Sequence, residues 1–319
     1  MSGVVAVAHP NVALSKYWGK REGAGNVPAV PSLSVTLAGL ATRTRLKWDA
    51  LLADHRFVLD GRLQERAQAP KVFTFLDEAA RAVGTSACAD VESTNDFPTA
   101  SGLASSASGF AALALAAVRA GGCDWDAARV ADLARRGSAS AARSLFGGFV
   151  ELVGTEARLV APADHLPLAV LVCVTAEGPK ATSSTEGMRV TMARSPFAAA
   201  WLEQAPRLHG RLHAALLARD FDRVGELAEA SALAMHASAI AAGVVYWNGA
   251  TLEALAAVRA LRAGGTAAYA TIDAGPHVKV LVRPGDAAKA REAMAAVPGV
   301  RRVIEARPGP GARIEAGKS

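Results

Sequence analysis

The succession of periodicities along the chain restricts its fold more than any other feature. The first half carries short runs of strand character at residues 4–8, 32–38, 42–48 and 57–60, the last closed by an Asp60-Gly61 turn. A helical stretch over 71–83 follows, with Val72, Phe75, Leu76 and Ala79 on one face. A strand over 89–93 leads through a loop into a long helix of small residues over 103–119, and a second helix over 126–135 ends at Gly137. Strands are expected over 145–153 and 166–174. After Glu177-Gly178-Pro179 the apolar spacing becomes helical over 197–218, 221–241 and 250–262, and the chain closes with strand, strand, helix and strand over 267–272, 278–282, 287–296 and 301–305. This change of texture predicts two domains, 1–165 and 166–319. The Pro- and Gly-rich tail after Arg307 is expected to fray.

The 319 residues are 51% hydrophobic and 20% charged, a balance that excludes bulk disorder. The formal net charge of +6 rests on 27 Arg and only 8 Lys, so the basicity reads as compositional background, and no nucleic-acid partner is expected. Residues 1–10 have no basic leader, and the apolar run over 166–174 is too short to span a bilayer. Neither a membrane partner nor a signal peptide is expected, and a cytoplasmic location is the default. Cys88, Cys123 and Cys173 form no CxxC or Cys/His spacing, which argues against a zinc site or a disulfide framework.

Four segments carry candidate chemistry. Residues 98–109, Pro-Thr-Ala-Ser-Gly-Leu-Ala-Ser-Ser-Ala-Ser-Gly, lie between a strand and a helix. Small residues admit an anion close to the backbone, hydroxyls donate to it, and the free N–H groups of a helix N-terminus favour negative charge. No lysine follows in the Walker A position, and a Ser-capped, tightly packed helix is the alternative. The segment Asn11-Val12-Ala13-Leu14-Ser15-Lys16-Tyr17-Trp18-Gly19-Lys20-Arg21 sets two aromatics among three cations. It suits a phosphate or carboxylate pocket, or a basic turn whose aromatics plug the core. In residues 135–148, Ser138 and Ser140 precede Arg143, whose fork binds a carboxylate or phosphate bidentately unless the arginine is merely solvated. Last, Thr271-Ile272-Asp273-Ala274-Gly275-Pro276-His277 puts one acid where a strand enters a turn, a common place for aspartate in any fold.

The loop over 98–109 resembles the Pro-x-x-x-Gly-Leu-x-Ser-Ser-Ala loop of the GHMP kinase superfamily. In order along the chain, residues 16–20, Ser32-Leu33-Ser34-Val35-Thr36-Leu37, 95–100, 137–148, Ser183-Ser184-Thr185-Glu186-Gly187-Met188, Ala234-Met235-His236-Ala237 and 273–276 resemble one branch of it, the mevalonate diphosphate decarboxylases. The resemblance covers about residues 5 to 285. It implies a two-domain α+β GHMP kinase-like fold of mixed and antiparallel sheets with the active site in the interdomain cleft.

That resemblance also implies an activity. ATP phosphorylates the tertiary hydroxyl of mevalonate 5-diphosphate, and loss of phosphate and CO2 gives isopentenyl diphosphate. Asp273 would be the base or orienting carboxylate, Lys16 its cationic partner, and Arg143 the holder of the substrate carboxylate. Tyr17, Lys20, Ser138, Ser140 and Ser184 would bind the substrate diphosphate. Ser101, Gly102, Leu103, Ala104, Ser105, Ser106 and Ser108 would hold ATP, with Mg2+ bridging its phosphates and no metal ligand assigned to the protein. A homodimer is implied as well. Departures from the family pattern are Ala142 in place of a cysteine, Pro31-Ser32 in place of Asn-Ser or Ser-Ser, and His277 in place of asparagine, the last expected to serve the turn. Alternatives left open are a decarboxylase of the 5-monophosphate, a GHMP small-molecule kinase that does not decarboxylate, and a binding protein that has lost the chemistry.

Overall fold

The computed structural model describes residues 3–21, 26–97, 105–178 and 181–315. The elements in chain order are β1 (Val4–Ala8), β2 (Asn11–Ser15), β3 (Ser32–Ala38), β4 (Thr42–Asp49), β5 (Arg56–Leu59), β6 (Arg62–Gln64), α1 (Pro70–Val83), β7 (Cys88–Asn95), α2 (Ser105–Ala120) and α3 (Ala127–Gly137). After a 3₁₀ segment at Ala139–Leu145 come β8 (Phe149–Val153), β9 (Glu156–Ala161), β10 (Ala169–Val174), α4 (Ser184–Arg194), α5 (Ala198–Leu217), α6 (Phe221–Ala241) and α7 (Gly249–Ala263). The chain ends with β11 (Ala268–Ile272), β12 (Val278–Val282), α8 (Ala287–Ala295), β13 (Arg302–Pro308) and β14 (Arg313–Ile314). No helix among the described residues is long and apolar enough to cross a membrane.

Two sheets organise the molecule. The first has the order β14-β1-β4-β7-β5-β6 and is antiparallel except where β5 runs parallel to β7. One face is covered by α1 and α2. Helix α2 is built almost wholly of small and apolar residues and is buried nearly all round, so it works as a central wedge. The second sheet has the order β11-β12-β10-β13-β3-β8-β9, with β2 added on β3. Helices α5 and α6 cover one face through Leu212, Leu216, Val224 and Leu227 against Val170, Val172 and Leu281. Helices α7 and α8 cover the other through Ala254, Val258, Ala290 and Met294 against Leu171, Val278 and Val280. Strands β10, β11 and β12 are therefore buried on both sides, which is why they read as continuous apolar runs.

Several expectations are corrected. The strand expected over 145–153 begins only at Phe149, because Ala139–Leu145 turns into a 3₁₀ segment and Gly148, at φ +68°, redirects the chain. Strand β9 and helix α4 were not expected. The first is a half-exposed partner of β8 with weak apolar alternation. The second starts where Ser183 caps Glu186 N, a Ser-x-x-Glu start signal in the sequence.

The tail does not fray directly after Arg307. Strand β13 runs to Pro308, Gly309 N donates to Thr36 O at 2.8 Å, and β14 pairs with β1. At Gly309 a Cβ would lie 2.4 Å from Ala38 N, so only glycine lets the two backbones meet.

Candidate active site

The site grows from the end of β2. Ser15 Oγ accepts from Leu33 N at 2.8 Å and meets His209 Nδ1 at 3.0 Å, and Lys16 N donates to Ser231 Oγ at 3.0 Å. These bonds fix the backbone on either side of Lys16, whose chain runs inward and is 2% exposed. Its Nζ donates to Ala13 O at 2.8 Å and to Asp273 Oδ1 at 2.7 Å. Asp273 follows β11, and His236 of α6 lies 3.2 Å through Nε2 from the Asp273 carbonyl oxygen. Burial drives His236 down to about 3, so its ring is neutral at physiological pH and Nε2 is the donor.

Asp273 has a second cation on it. Lys279 Nζ lies 3.2 Å from Oδ2, so each carboxylate oxygen faces its own lysine. Burial alone would raise the Asp273 carboxyl, but Lys16 and Lys279 outweigh it and hold the group well below the usual carboxylate range. Burial, joined by Lys279 and Arg143, outweighs the upward pull of Asp273 and leaves Lys16 lowered to about 8.

Arg143 is a buried arginine, not a solvated one. Its Nε donates to Ser34 Oγ at 2.9 Å, Nη1 to Ser32 Oγ at 2.7 Å and Nη2 to Asn11 Oδ1 at 3.3 Å. Asn11 is held in turn by Ser144 Oγ and the Ser140 carbonyl. Three of the five guanidinium N–H groups are thereby taken, and both terminal nitrogens keep one. Burial lowers Arg143 to about 10, which leaves it cationic at neutral pH. Ser32, which follows the departure at Pro31, keeps its hydroxyl on this arginine, and Ala142 is simply core.

A cleft of about 630 Å³ brings together Lys16, Tyr17, Lys20, Ser138, Ser140, Arg143, Ser184 and Asp273 with the first turn of α2. The Tyr17 hydroxyl is buried with no hydrogen-bond partner among the described residues, and burial pushes its pKa up, so it stays a neutral donor. Lys20 Nζ donates to Asn26 Oδ1 at 2.6 Å and Thr185 Oγ1 at 3.1 Å; burial, and then Lys71, lowers its pKa. The Ser138 and Ser140 hydroxyls are 3.1 Å apart. Ser105 and Ser106 line both this cleft and an adjoining pocket of about 250 Å³ walled by Phe57, Leu59, Val72, Phe110 and Leu113. Ser108 lines neither, because its hydroxyl turns to Thr42 Oγ1 at 2.6 Å. Ser101, Gly102, Leu103 and Ala104 lie outside the described residues.

Three contributors escaped the sequence reading. Asn11 opens the basic-aromatic segment but was given no role, because it sits on an unrecognised strand, and His236 carries no local signal beyond the matched stretch around it. Lys279 had one, a lone lysine interrupting the apolar run Val278-Lys279-Val280-Leu281-Val282. His277 is fully packed under the turn, accepting from Thr175 N through Nδ1 at 3.2 Å.

Three buried cations thus face one carboxylate. Such a surplus is costly in a desolvated site unless an anion completes it. Among the described residues no group of three or more His, Cys, Asp or Glu is placed to hold a metal ion. The donors at the α2 N-terminus are serine hydroxyls, a set that fits a hard cation carried on phosphate oxygens.

Comparison with known proteins agrees with this geometry. Residues 8–159 match the diphosphomevalonate decarboxylase-like N-terminal domain, and residues 170–307 the mevalonate 5-diphosphate decarboxylase C-terminal domain. The diphosphomevalonate decarboxylase of Candida albicans is 33% identical over 304 residues, 88% of this chain and 84% of that protein. A solved structure described as a complex with MVAPP, AMPPCP and magnesium superposes with a TM-score of 0.92 at 38% identity, covering 99% of both chains. The mevalonate diphosphate decarboxylase from Enterococcus faecalis, solved in a study of ATP binding, gives 0.91 at 37% identity and 99% of both. With both halves matched in order and the cleft lying between them, the chain belongs to the diphosphomevalonate decarboxylase family.

Proposed function

We propose that this protein catalyses the ATP-dependent decarboxylation of mevalonate 5-diphosphate to isopentenyl diphosphate, with ADP, phosphate and CO2 as the other products. The observation that carries the reading is the Asp273 carboxylate, clamped by lysines and facing Arg143 in one cleft. Asp273 accepts the hydrogen of the substrate's tertiary hydroxyl. With its pKa held low it is a weak base, so its part is to orient the oxygen and take the proton late, as the new P–O bond forms. ATP supplies the phosphoryl group that makes the hydroxyl oxygen a leaving group, and Mg2+ on its phosphates offsets their charge.

The two remaining terminal N–H groups of Arg143 hold the substrate carboxylate and fix the direction in which CO2 departs. Lys16 stabilises charge passing through the reacting centre. Tyr17, Lys20, Ser138, Ser140 and Ser184 take the diphosphate. Ser105 and Ser106 meet the nucleotide phosphates, and the apolar pocket beside them takes the base.

The 1–165 and 166–319 division falls in the connection between β9 and β10, between the two matched family domains. A cytoplasmic location accords with three free cysteines, and the resemblance supports a homodimer, which sedimentation will test. The test of function is CO2 release with ATP from mevalonate 5-diphosphate and, in parallel, from the 5-monophosphate. Release from the diphosphate at much the higher kcat/KM is expected; preference for the monophosphate overturns the substrate assignment.

A further inference from the structure

We propose that Lys279 is a positioning residue for Asp273, gripping one carboxylate oxygen while Lys16 grips the other, so that the carboxylate plane is fixed for the substrate hydroxyl. This inference rests on the decarboxylase reading above. Lys279 stands on β12, an interior strand between β11 and β10, on the same face as Leu281, which belongs to the apolar layer under α5 and α6. It is 3% exposed, and a lysine charge on such a face is retained only with a close counter-charge. The counter-charge is Asp273 Oδ2 at 3.2 Å.

A single hydrogen bond leaves a carboxylate free to rotate about Cβ–Cγ. Two cations on separate elements remove that freedom. Lys16 reaches Oδ1 from the end of β2 and Lys279 reaches Oδ2 from β12, while His236 holds the backbone of Asp273 from α6. Each oxygen has two lone-pair directions, so each keeps one for the substrate.

The groups that share this environment are Lys16 and Tyr17 after β2, Arg143 of the 3₁₀ segment, His236 of α6, Cys173 of β10 and His277 before β12. Burial keeps His236 and His277 neutral, at about 3 and about 4, and pushes the Cys173 thiol up to about 12. Near neutral pH the charge balance at Asp273 is therefore set by Lys16, Lys279 and Arg143.

The test is the pH profile of kcat for the full chain with ATP, Mg2+ and mevalonate 5-diphosphate, comparing wild type, Lys279→Gln and Lys279→Arg. Lys279→Gln is expected to lower kcat about 10- to 100-fold with KM for the substrate within about twofold. Its acid limb is expected to rise by about one pH unit or more, because Asp273 loses one of two cations. Lys279→Arg is expected to restore the limb. Profiles that superimpose after correction for folded fraction overturn the proposal, as does a raised KM at unchanged kcat, which would make Lys279 a substrate contact.

If Lys279→Gln does not fold, 13C NMR of the lysine ε-carbons at pH 7 compares wild type with Asp273→Asn. The Lys279 ε-carbon chemical shift is expected to move in Asp273→Asn, because its contact at 3.2 Å is with the carboxylate oxygen that the substitution alters, and an unmoved signal overturns the proposal. A wild-type chain releasing no CO2 rejects the decarboxylase reading but leaves this chemical-shift prediction standing.

Discussion

Lys16 Nζ and Asp273 Oδ1 meet at 2.7 Å although 257 residues separate them in sequence. A second tie, from Thr271 Oγ1 of β11 to the Ala13 carbonyl of β2 at 3.1 Å, joins the strands that lead into these two residues. The halves of the chain are thus locked together at the cleft floor before any substrate arrives. Preassembly of this kind spares the reaction the reorganisation of its charged groups.

Replacing Asp273 with asparagine removes the acceptor for the hydroxyl proton and keeps the shape. Turnover is expected to fall at least about 100-fold with KM for mevalonate 5-diphosphate little changed. Steady-state kinetics on the folded variant check this, and near-normal kcat rejects the role assigned to Asp273.

Lys16 sits at about 8 in the free protein, so kcat/KM is expected to decline as pH rises through that value and the ammonium is lost. Bound anionic substrate favours the charged form, so the limb in kcat is expected at higher pH than the limb in kcat/KM. Coincident limbs, or a flat profile up to pH 10, contradict this assignment.

The same pair makes stability pH-dependent, with opposite signs for its members. Asp273 is depressed in the folded state, so its contribution is full above the ordinary carboxylate value of 3.8 and is lost as pH falls through and below it. Lys16 is also depressed, so its burial is a penalty below about 8 that is relieved between about 8 and 10.5 as the unfolded chain binds the extra proton. Wild type is expected to exceed Asp273→Asn by about 3 kcal/mol at pH 7, the scale of a broken buried pair. Denaturant unfolding at pH 7 and pH 3 reads the gap, which should narrow at the lower pH.

Arg143→Lys keeps the charge and loses the fork. Lysine cannot serve Ser32, Ser34 and Asn11 and still present two N–H groups to a carboxylate, so kcat/KM is expected to drop about 100-fold, the worth of one strong charge-assisted bond. A change smaller than threefold shows that Arg143 supplies charge alone.

How much of this was legible in the sequence depends on where each signal resides. The helices α1, α5, α6 and α7 announced themselves because each shows one apolar face to a sheet over several turns. Strand β2 did not, since all five of its residues are buried, polar Asn11 and Ser15 among them, and no alternation survives. Lys16, Arg143 and Asp273 were found through motif resemblance; their charges alone distinguished none of them from surface residues. Lys279 lacked a motif, and only the fold reveals that β12 carries it beneath Asp273. For Ser108 the sequence carried too little: its place in a serine-rich loop suggested phosphate, and only the helical geometry shows its hydroxyl turned to Thr42.

The most direct test of the account is the product balance of the wild-type chain with ATP, Mg2+ and mevalonate 5-diphosphate. ADP, inorganic phosphate and CO2 should accumulate in equal amounts, because phosphorylation, phosphate loss and decarboxylation occur on one substrate in one cleft. ADP accumulating with a stable phosphoester and no CO2 contradicts it, and would make this protein a kinase.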